Sequence, residues 1–315
     1  MNSKFKVIIF TFAVVIFFSA TGCTGGNGQT LNSAEALKEY LDKQPANSPD
    51  KPIRLTMAAN APMLEKIAAA ISSAGKYVSL NLSGNVLTTI PDGAFANCTL
   101  LTAINIPDSV TSIGGLAFAG CTGLTSVTMP NSVDEILGVM FLRTGLLNLP
   151  LPKGADTSGS GGGKIFYYSK AGFTMTDNNH VCHYLEAAPD NMTTKLAWAS
   201  SRYTSANISG TKTGIGTGRK NTAVILATDA AAPAAKACKE YNYGGKTDWF
   251  LPSLDELFYL EMCRDYIGGL SYDWYWSSSQ SGKYDIYAMD KRFGDGYQNN
   301  YDKGRTASVR AIRAF

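Results

Sequence analysis

The apolar positions before residue 76 predict three elements: a helix over residues 33–44, a strand over 52–58 and a second helix over 61–75. Leu37 and Leu41, four residues apart, give the first helix its apolar face, and Asn32 or Ser33 caps its start. Gly75 ends the second helix, because glycine adopts the left-handed conformation of a helix terminus at little cost.

The last half of the chain has short apolar runs separated by long polar connections. It predicts strands over 164–169 and 183–189, helices over 230–242 and 251–265, a strand in WYWSSS and a closing strand over 309–315. Ser253 and Glu256 form a capping box for the second of these helices, and its apolar face is formed by Leu254, Leu257, Phe258 and Met262. The segment 281–305, rich in Gly, Asn, Asp and Tyr, is expected to be loop-like. This mixture predicts an α+β domain.

Apolar and polar residues alternate in the closing run VRAIRAF. Val309, Ala311, Ala314 and Phe315 cannot all lie on one face at a strict period of two, which predicts a bulge or a strand end near Arg313. We expect this strand to hold the segment before it against a fixed core.

A repeated segment occupies the middle of the chain. Three copies align, CTLLTAINIP at 98–107, CTGLTSVTMP at 121–130 and RTGLLNLPLP at 143–152, after a looser copy at 77–95. The copies start 23 and 22 residues apart, a period typical of solenoids whose turns bury one continuous core by stacking. Stacking places Ile104, Val127 and Leu149 in one core column, and the Cys, Phe and Leu of each copy are interpreted as core positions.

The pattern over residues 77–152 resembles the leucine-rich repeats of bacterial surface proteins of the treponemal type. The resemblance implies a small leucine-rich-repeat solenoid with a short concave face.

The amino terminus predicts export. The basic start MNSKFK precedes twelve apolar residues, VIIFTFAVVIFF, too few to span a bilayer core of about 30 Å comfortably as a helix. They match the apolar region of a secretory signal, and a membrane-anchor helix is the alternative. Ala20-Thr21-Gly22-Cys23 resembles the lipobox of bacterial lipoproteins, with Ala20 in place of the usual Leu, and implies lipidation of Cys23.

Five parts follow from these patterns. Residues 1–22 are the lipoprotein signal peptide, 23–50 a lipidated tether with the short helix, 51–152 an N-terminal cap plus leucine-rich repeats, 153–163 a Gly/Ser linker and 164–315 the last domain. The composition of LPLPKGADTSGSGGGK places the linker.

Charge argues against a nucleic-acid partner. The net charge is +3, and removal of Lys4 and Lys6 with the signal leaves +1, too little for an electrostatic footprint on phosphates.

Five cysteines follow Cys23, so an exported chain leaves at least one unpaired. Cys238 and Cys263, one on each predicted helix, could form a disulfide or pack as thiols. His180 and His183 flank Cys182 but cannot close a tetrahedral zinc site alone, and a strand with one partly buried cysteine is the preferred interpretation.

Six stretches of the last domain occur in order: GGKIFYYS, YLEAAPDN, GIGTGRKNT, GGKTDWFLPSLDEL, YWSSSQ and VRAIRAF. Together they resemble, over residues 162–315, the bacterial domain with a C-type lectin-like fold found in the variable proteins of diversity-generating retroelements, some of which are treponemal lipoproteins. The resemblance implies that the carboxyl-terminal segment is a ligand-binding surface whose codons are diversified by adenine-directed copying.

Adenine randomisation of an Asn codon can yield Ser, Gly, Tyr, Asp, Ala, Arg or Asn, but never Lys, Gln, Met, Trp or Glu. The resemblance therefore implies thirteen variable ligand-binding positions, Ser281, Tyr284, Asp285, Tyr287, Asp290, Arg292, Asp295, Tyr297, Asn299, Asn300, Tyr301, Asp302 and Arg305. It leaves out the neighbours that this route cannot produce, Lys283, Met289, Lys291, Gln298 and Lys303. Tyr, Ser, Gly and Asn are also the residues of antibody-like binding surfaces; a polar loop with inward-packed tyrosines is the alternative.

Other chemistry is weakly indicated. The usual sugar-binding motifs of calcium-dependent lectins are absent, and the carboxylates are too spread for a calcium site: Asp285, Asp290, Asp295 and Asp302. The Gly-rich GIGTGRKNT lacks the context of a phosphate loop. Formylglycine-generating enzymes use the same fold, but Cys182, Cys238 and Cys263 lie in no activating environment. We expect no enzyme activity, metal or cofactor.

The sequence thus predicts a surface-displayed, ligand-binding lipoprotein of the outer membrane. Its lectin-like domain would present a sequence-variable site to a protein or glycan on host or bacterial surfaces. The alternatives are an adhesin that binds through its repeat face and an enzyme of the formylglycine-generating type.

Overall fold

The computed structural model describes residues 31, 33–84 and 86–315, so the predicted signal peptide and Cys23 lie outside the described residues. The helices are α1 Ala34–Asp42, α2 Ala61–Ala74, α3 Gly218–Thr228, α4 Pro233–Glu240, α5 Leu254–Met262 and α6 Arg264–Ile267, with a 3₁₀ turn at Gly138–Phe141. The strands of the repeat region are β1 Ile53–Ala58, β2 Val78–Ser83, β3 Thr89–Ile90, β4 Leu101–Asn105, β5 Ser112–Ile113, β6 Ser126–Thr128 and β7 Glu135–Leu137. The later strands are β8 Lys164–Thr174, β9 Val181–Ala187, β10 Leu196–Ala197, β11 Trp274–Gln280, β12 Tyr287–Arg292, β13 Gln298–Asp302, β14 Thr306–Ala307 and β15 Ile312–Ala314.

The amino-terminal elements form where the apolar pattern predicts them. The Ser33 side chain accepts a hydrogen bond from the backbone N–H of Ala36 and caps α1. Gly75 has a φ of 63° and ends α2 in the left-handed conformation. Leu37 and Leu41 are fully buried, as their spacing predicts.

The repeat turns stack in register. Strands β1, β2, β4 and β6 form a parallel sheet in that order, and Ile104 lies opposite Val127. The core column is confirmed, because Ile104 and Leu149 are buried and Val127 packs partly buried against the same core.

A ladder of phenylalanines runs beside this column. Phe95, Phe118 and Phe141 stack with ring centroids 5.4 and 5.3 Å apart and planes within 6° of parallel. Burial raises the pKa of the Cys98 thiol, and that of Cys121 to about 12. These cysteines are therefore core residues without thiolate character, as the repeat pattern predicts.

The C-terminal half combines two larger antiparallel sheets with helices. One sheet has the order β15-β9-β8-β7 and the other the order β11-β12-β13. Separate apolar cores surround Leu257 and Tyr275 on one side and Trp198 and Trp276 on the other. The predicted order of a repeat region followed by a mixed helix-and-strand domain is confirmed, and the lectin-like fold stays a prediction.

The repeat region and the C-terminal half share a sheet. Strand β7 lies inside the repeat region, between the copies at 121–130 and 143–152, yet it pairs with β8, and Ile136 lies opposite Tyr168. Tyr266 of α6 packs on Gly138, where a Cβ would collide with its ring. The packing is therefore continuous across the segment predicted to be a linker.

The end of that segment is bonded to a buried carboxylate. Glu186 on β9 accepts hydrogen bonds from the Ser160 hydroxyl at 2.8 Å and the Gly161 N–H at 2.9 Å. A Cβ on Gly163 would collide with the carbonyl oxygen of Ala187. The glycine run thus permits a close backbone approach, a role that composition does not distinguish from flexibility.

Arg313 completes this cluster from the closing strand. Its guanidinium donates to Glu186 at 3.0 Å and to Asp248 at 2.9 Å. Arg310, also buried, donates instead to the carbonyl oxygens of Ala188, Pro189 and Gly269. The closing run is buried from Val309 to Ala314, so it has no solvent-facing side.

Four sequence expectations need correction. The loop-like segment contains two paired strands, β12 and β13. Helix α3 was not predicted, because GRKNTAVILAT has only a weak apolar period. Phe258, predicted on the apolar face of α5, is 44% exposed, and Leu260 is buried instead. The Phe258 ring lies outside the core, with its centre 5.0 Å from the Lys291 ammonium. Cys182 is fully buried rather than partly buried.

Removal of the Glu186 carboxylate should destabilise the whole chain. Glu186→Ala leaves the donors of Ser160 and Gly161 without their acceptor and removes one of the two carboxylates that pair with the buried Arg313. The expected loss in the free energy of unfolding is about 3–5 kcal/mol. Urea denaturation followed by tryptophan fluorescence measures it. The control is Lys43→Ala, which removes an exposed ion pair with Glu39 and should cost about 0.5 kcal/mol or less. Similar losses in both variants would contradict the role assigned to Glu186.

Candidate binding surface

Strands β11, β12 and β13 form a ribbon whose register divides the side chains between two faces. Residues directly opposite in an antiparallel pair point to the same side. Trp276, Asp290 and Asn299 therefore share one face, here called the Trp face. Met289 and Asn300 share the other, here called the helix face because α5 packs against β11 and β12 there.

Aromatic rings organise the Trp face. Trp274 stacks nearly parallel to Tyr301 with centroids 6.4 Å apart, and Trp276 lies 5.9 Å from Tyr301. Tyr297 meets Trp274 edge to face at 6.0 Å. The Arg292 guanidinium lies over Trp274 and Tyr297, a cation–π arrangement. Thus the two tryptophans contact three of the predicted variable positions.

Exposure sorts the thirteen predicted positions. Eight are exposed: Tyr284, Asp285, Arg292, Asp295, Tyr297, Asn300, Asp302 and Arg305. Tyr287, Asn299 and Tyr301 are half-buried, and Ser281 and Asp290 are buried. The exposed positions lie in the two turns that flank β12, at its last residue, Arg292, along β13, the outer strand of the ribbon, and just after β13.

Two of the exposed positions line an open cleft of about 580 Å³. Asp302 and Arg305 line it together with Ser200, Ser201 and Thr204. The cleft extends the ribbon surface onto residues outside the segment that sequence reasoning singled out.

Two lysines left out of the variable set are structural. Lys303 is fully buried, its ammonium donates to the Ala206 carbonyl and the Gln280 side chain, and burial lowers its pKa to about 8. Lys291 is also buried and donates to the Gly296 carbonyl at 2.7 Å. They hold the turns on either side of β13.

Two family models match the chain. Residues 72–171 match a BspA type leucine rich repeat region in six copies, and residues 188–313 match the Lcl C-terminal domain. The chain carries both modules. No curated protein is detectably similar to it.

The repeat match reaches into β8, beyond residue 152 where the sequence pattern stops, and so spans the β7–β8 pairing. The Lcl C-terminal domain contains the whole ribbon and the cleft. The combination of the two modules suggests a surface protein with a ligand-binding role.

Asp290 is the unusual residue of the Lcl C-terminal domain. Its carboxylate has no exposure, and among the described residues neither oxygen has a hydrogen-bond partner. Burial raises its pKa to about 7, because an unpaired charge is costly away from water.

The Gly-rich loop at 214–220 contacts an internal carboxyl group. Glu256, fully buried at the start of α5, accepts from the backbone N–H groups of Gly216 at 2.8 Å and Ser253 at 2.7 Å. Burial raises the pKa of Glu256 to about 7, although these hydrogen bonds act to lower it. Because this carboxylate takes up backbone N–H groups of the loop and its surroundings, the structure offers no support for a phosphate site.

The cysteines and histidines do not converge. Cys238 and Cys263 are free thiols in different cores, so of the two alternatives they pack as thiols. His183 lies 2.9 Å from the Ser169 carbonyl oxygen through Nδ1. Across the described residues, no group of three or more His, Cys, Asp or Glu is placed to hold a metal ion. Within the same residues, no helix has the length and apolar character needed to cross a bilayer.

Sequence reasoning missed the fixed partners of the ribbon. Trp274 falls in the strand predicted for WYWSSS and is not among the predicted binding positions, yet its half-buried ring contacts Tyr297, Tyr301 and Arg292. The alternation of WYWSSS could have shown that its two tryptophans share a face. The residues of the cleft at 200–204 carry no comparable signal.

Neutralising Asp290 should change how stability depends on pH. With a folded pKa near 7 and an unfolded value near 3.9, the folded state binds more protons. The free energy of unfolding of the wild type should therefore fall by on the order of 2–4 kcal/mol, through Asp290, as pH rises from about 4 to about 7. Asp290→Asn should remove that loss and be the more stable protein at pH 8.

Denaturation curves between pH 5 and pH 8 measure this effect as a difference in slope between the variant and the wild type. Asp50→Asn, at an exposed turn, is the matched control and should keep the wild-type slope. Identical slopes for the wild type and Asp290→Asn would show that Asp290 is not the titrating group.

Proposed function

We propose that the chain is a surface-displayed ligand-binding protein. Its Lcl C-terminal domain would present a sequence-variable site on the ribbon of β11, β12 and β13, chiefly on β12, β13 and their turns. One observation carries this proposal: of the thirteen positions whose residues adenine randomisation could produce, eight are exposed on the ribbon and its turns. The residues that it could not produce include the buried anchors Lys291 and Lys303.

The exposed positions have the chemistry of a binding surface. Tyr297 is 58% exposed and Tyr284 is 47% exposed. Tyrosine offers large contact area at a low cost in side-chain entropy, and Tyr and Arg are enriched among the residues that dominate binding energies. The cleft beside Arg305 offers a concave contact for a protruding group of the ligand.

We propose binding rather than catalysis. Burial raises the pKa of the thiols of Cys182, Cys238 and Cys263, the last to about 12. A thiolate nucleophile needs the opposite environment, with a lowered pKa and access to solvent. This disfavours the formylglycine-generating type of enzyme.

The proposed location is the cell surface, with the lipid on Cys23 as the anchor. It rests on the basic start, the apolar run and the lipobox-like residues 20–23. Release of the Cys23→Ser chain from the membrane fraction would support it, and retention equal to that of the wild type would not.

Diversification by a retroelement is the most specific part of the proposal. Support comes from the residue types at the exposed positions and from the rigid frame beneath them. A reverse-transcriptase gene and a near-copy repeat that differs at adenines should lie near the gene; a genome that lacks both would contradict this part alone.

One observation favours the alternative, an adhesin that binds through its repeat face. Thr56, Asn81, Asn105 and Thr128 lie opposite one another across four adjacent strands. The amide of Asn81 donates to Thr56 and that of Asn105 donates to Asn81 at 2.6 Å. This row of polar side chains forms a regular surface.

Two sets of substitutions in the full chain separate these functions. The ribbon variant combines Tyr284→Ser, Tyr297→Ser and Arg305→Ser, and the repeat-face variant combines Asn105→Ala, Ser126→Ala and Thr128→Ala. Both are tested for binding to arrays of glycans and purified host and bacterial surface proteins. The ribbon variant should lose about 100-fold or more in affinity for any ligand found, while the repeat-face variant keeps it.

The six positions are exposed or half-buried, so each substitution should change stability by about 0.5 kcal/mol or less. Thermal unfolding of each variant checks this. Loss of binding in the repeat-face variant alone would overturn the proposal in favour of the adhesin.

A further inference from the structure

Asp290 lies at the centre of an aromatic enclosure on the Trp face. In the register of the ribbon, Trp276 and Asn299 are its direct neighbours on the adjacent strands. One step along, Trp274 lies opposite Arg292, and on the other side Ala288 lies opposite Tyr301.

Tyr301 closes the enclosure from above. It starts from β13 beside Ala288, yet its ring reaches Trp274 and Trp276 on β11. A ring that spans from the third strand to the first crosses over the middle strand, where Asp290 lies. Asp290 has no exposure there, and the apolar core that contains Trp276 and Ala288 lies on the same face.

The enclosure has the chemistry of a cation receptor. The faces of tryptophan and tyrosine rings attract ammonium and guanidinium groups. A buried carboxylate supplies the opposite charge, and pairing lowers the cost of keeping it from water. Both oxygens of Asp290 are available for this, since among the described residues neither accepts a hydrogen bond.

The chain itself shows that the rim of the enclosure accepts a cation. The Arg292 guanidinium lies 5.4 Å from the ring centre of Trp274 and 5.8 Å from that of Tyr297. Arg292 is nevertheless paired with Asp295 in the following turn, not with Asp290. The inner carboxylate therefore keeps its capacity for a second positive group.

We propose that the Asp290 enclosure receives a positively charged group of the ligand, an ammonium such as that of a lysine side chain, when Tyr301 swings aside. This inference rests on the proposed function and deepens it, because it assigns a cationic protein ligand to the variable surface. Trp274 and Trp276 are the fixed walls, Asp290 is the charge and Tyr301 is the gate.

The gate lies at a predicted variable position. Tyr301 is half-buried and is held through its ring, so exchange for a small residue would open the enclosure without altering the walls. Variation at position 301 would then set access to the cation site, and variation at position 290 would switch the site on or off.

Titration of the full chain with methylammonium and tetramethylammonium chloride tests the proposal, with sodium chloride at equal ionic strength as the reference. The readout is the indole N–H signals of Trp274 and Trp276 in ¹H–¹⁵N spectra at pH 8, where the carboxylate is ionised. The wild type should show saturable shifts, Tyr301→Ser should bind more tightly, and Asp290→Asn should lose affinity about tenfold or more.

Asp50→Asn carries the same chemical change outside the C-terminal domain and should retain wild-type shifts. Equal affinity in Asp290→Asn and the wild type would overturn the inference. So would shifts that follow sodium chloride without saturation in both the wild type and Tyr301→Ser.

These failures differ from failure of the proposed function. If the ammonium probes do not bind but the ribbon variant still loses its ligand, the binding surface stands and only the cation site is wrong. If the ribbon variant keeps its ligand, the proposed function fails whatever the probes do.

Discussion

The buried pair of Glu186 and Arg313 holds together parts of the chain that are far apart in sequence. Glu186 lies on the second strand of the C-terminal half, Arg313 lies on the last, and the donors from Ser160 and Gly161 come from the segment that follows the repeats. Each group alone would be costly to bury, so the cluster is stable only when all of its parts are assembled. The closing strand, the glycine run and the shared sheet are thereby fixed relative to one another.

This frame explains how a surface rich in polar and aromatic residues is held without a large core of its own. The ribbon packs on one side against the core around Tyr275 and on the other against the core around Trp276. Buried lysines fix its turns by bonding to backbone carbonyls. The exposed side chains between these anchors carry little of the fold, so they are the part of the domain that can change at low cost.

Sequence reasoning succeeded where the apolar period is regular. Leu37 and Leu41, the repeat column and the capping box at Ser253 follow from spacings that local physics enforces. It failed where long-range packing decides. The pairing of β12 with β13 is not marked by an alternation of apolar residues in the sequence. The burial of Arg310 and Arg313 depends on partners more than 40 residues away in sequence.

The candidate site could likewise be predicted from the sequence only in part. The family resemblance and the residue types together pointed to thirteen positions, and most of those are exposed. The burial of Asp290 could not be predicted, because it depends on a ring that crosses from one edge of the ribbon to the other. The cleft wall at 200–204 is brought to the surface by tertiary folding alone.

The glycine run has a consequence for how such proteins can be recombined. Gly/Ser segments are the customary places to exchange modules between related chains, because a spacer tolerates any neighbour. Here the run has two required partners, both in the C-terminal half: the carboxylate of Glu186 and, at Gly161, the closely packed backbone of Gly244. A repeat array transplanted at this point would bring the run without its matching surface, so the two modules are expected to be inherited as one unit.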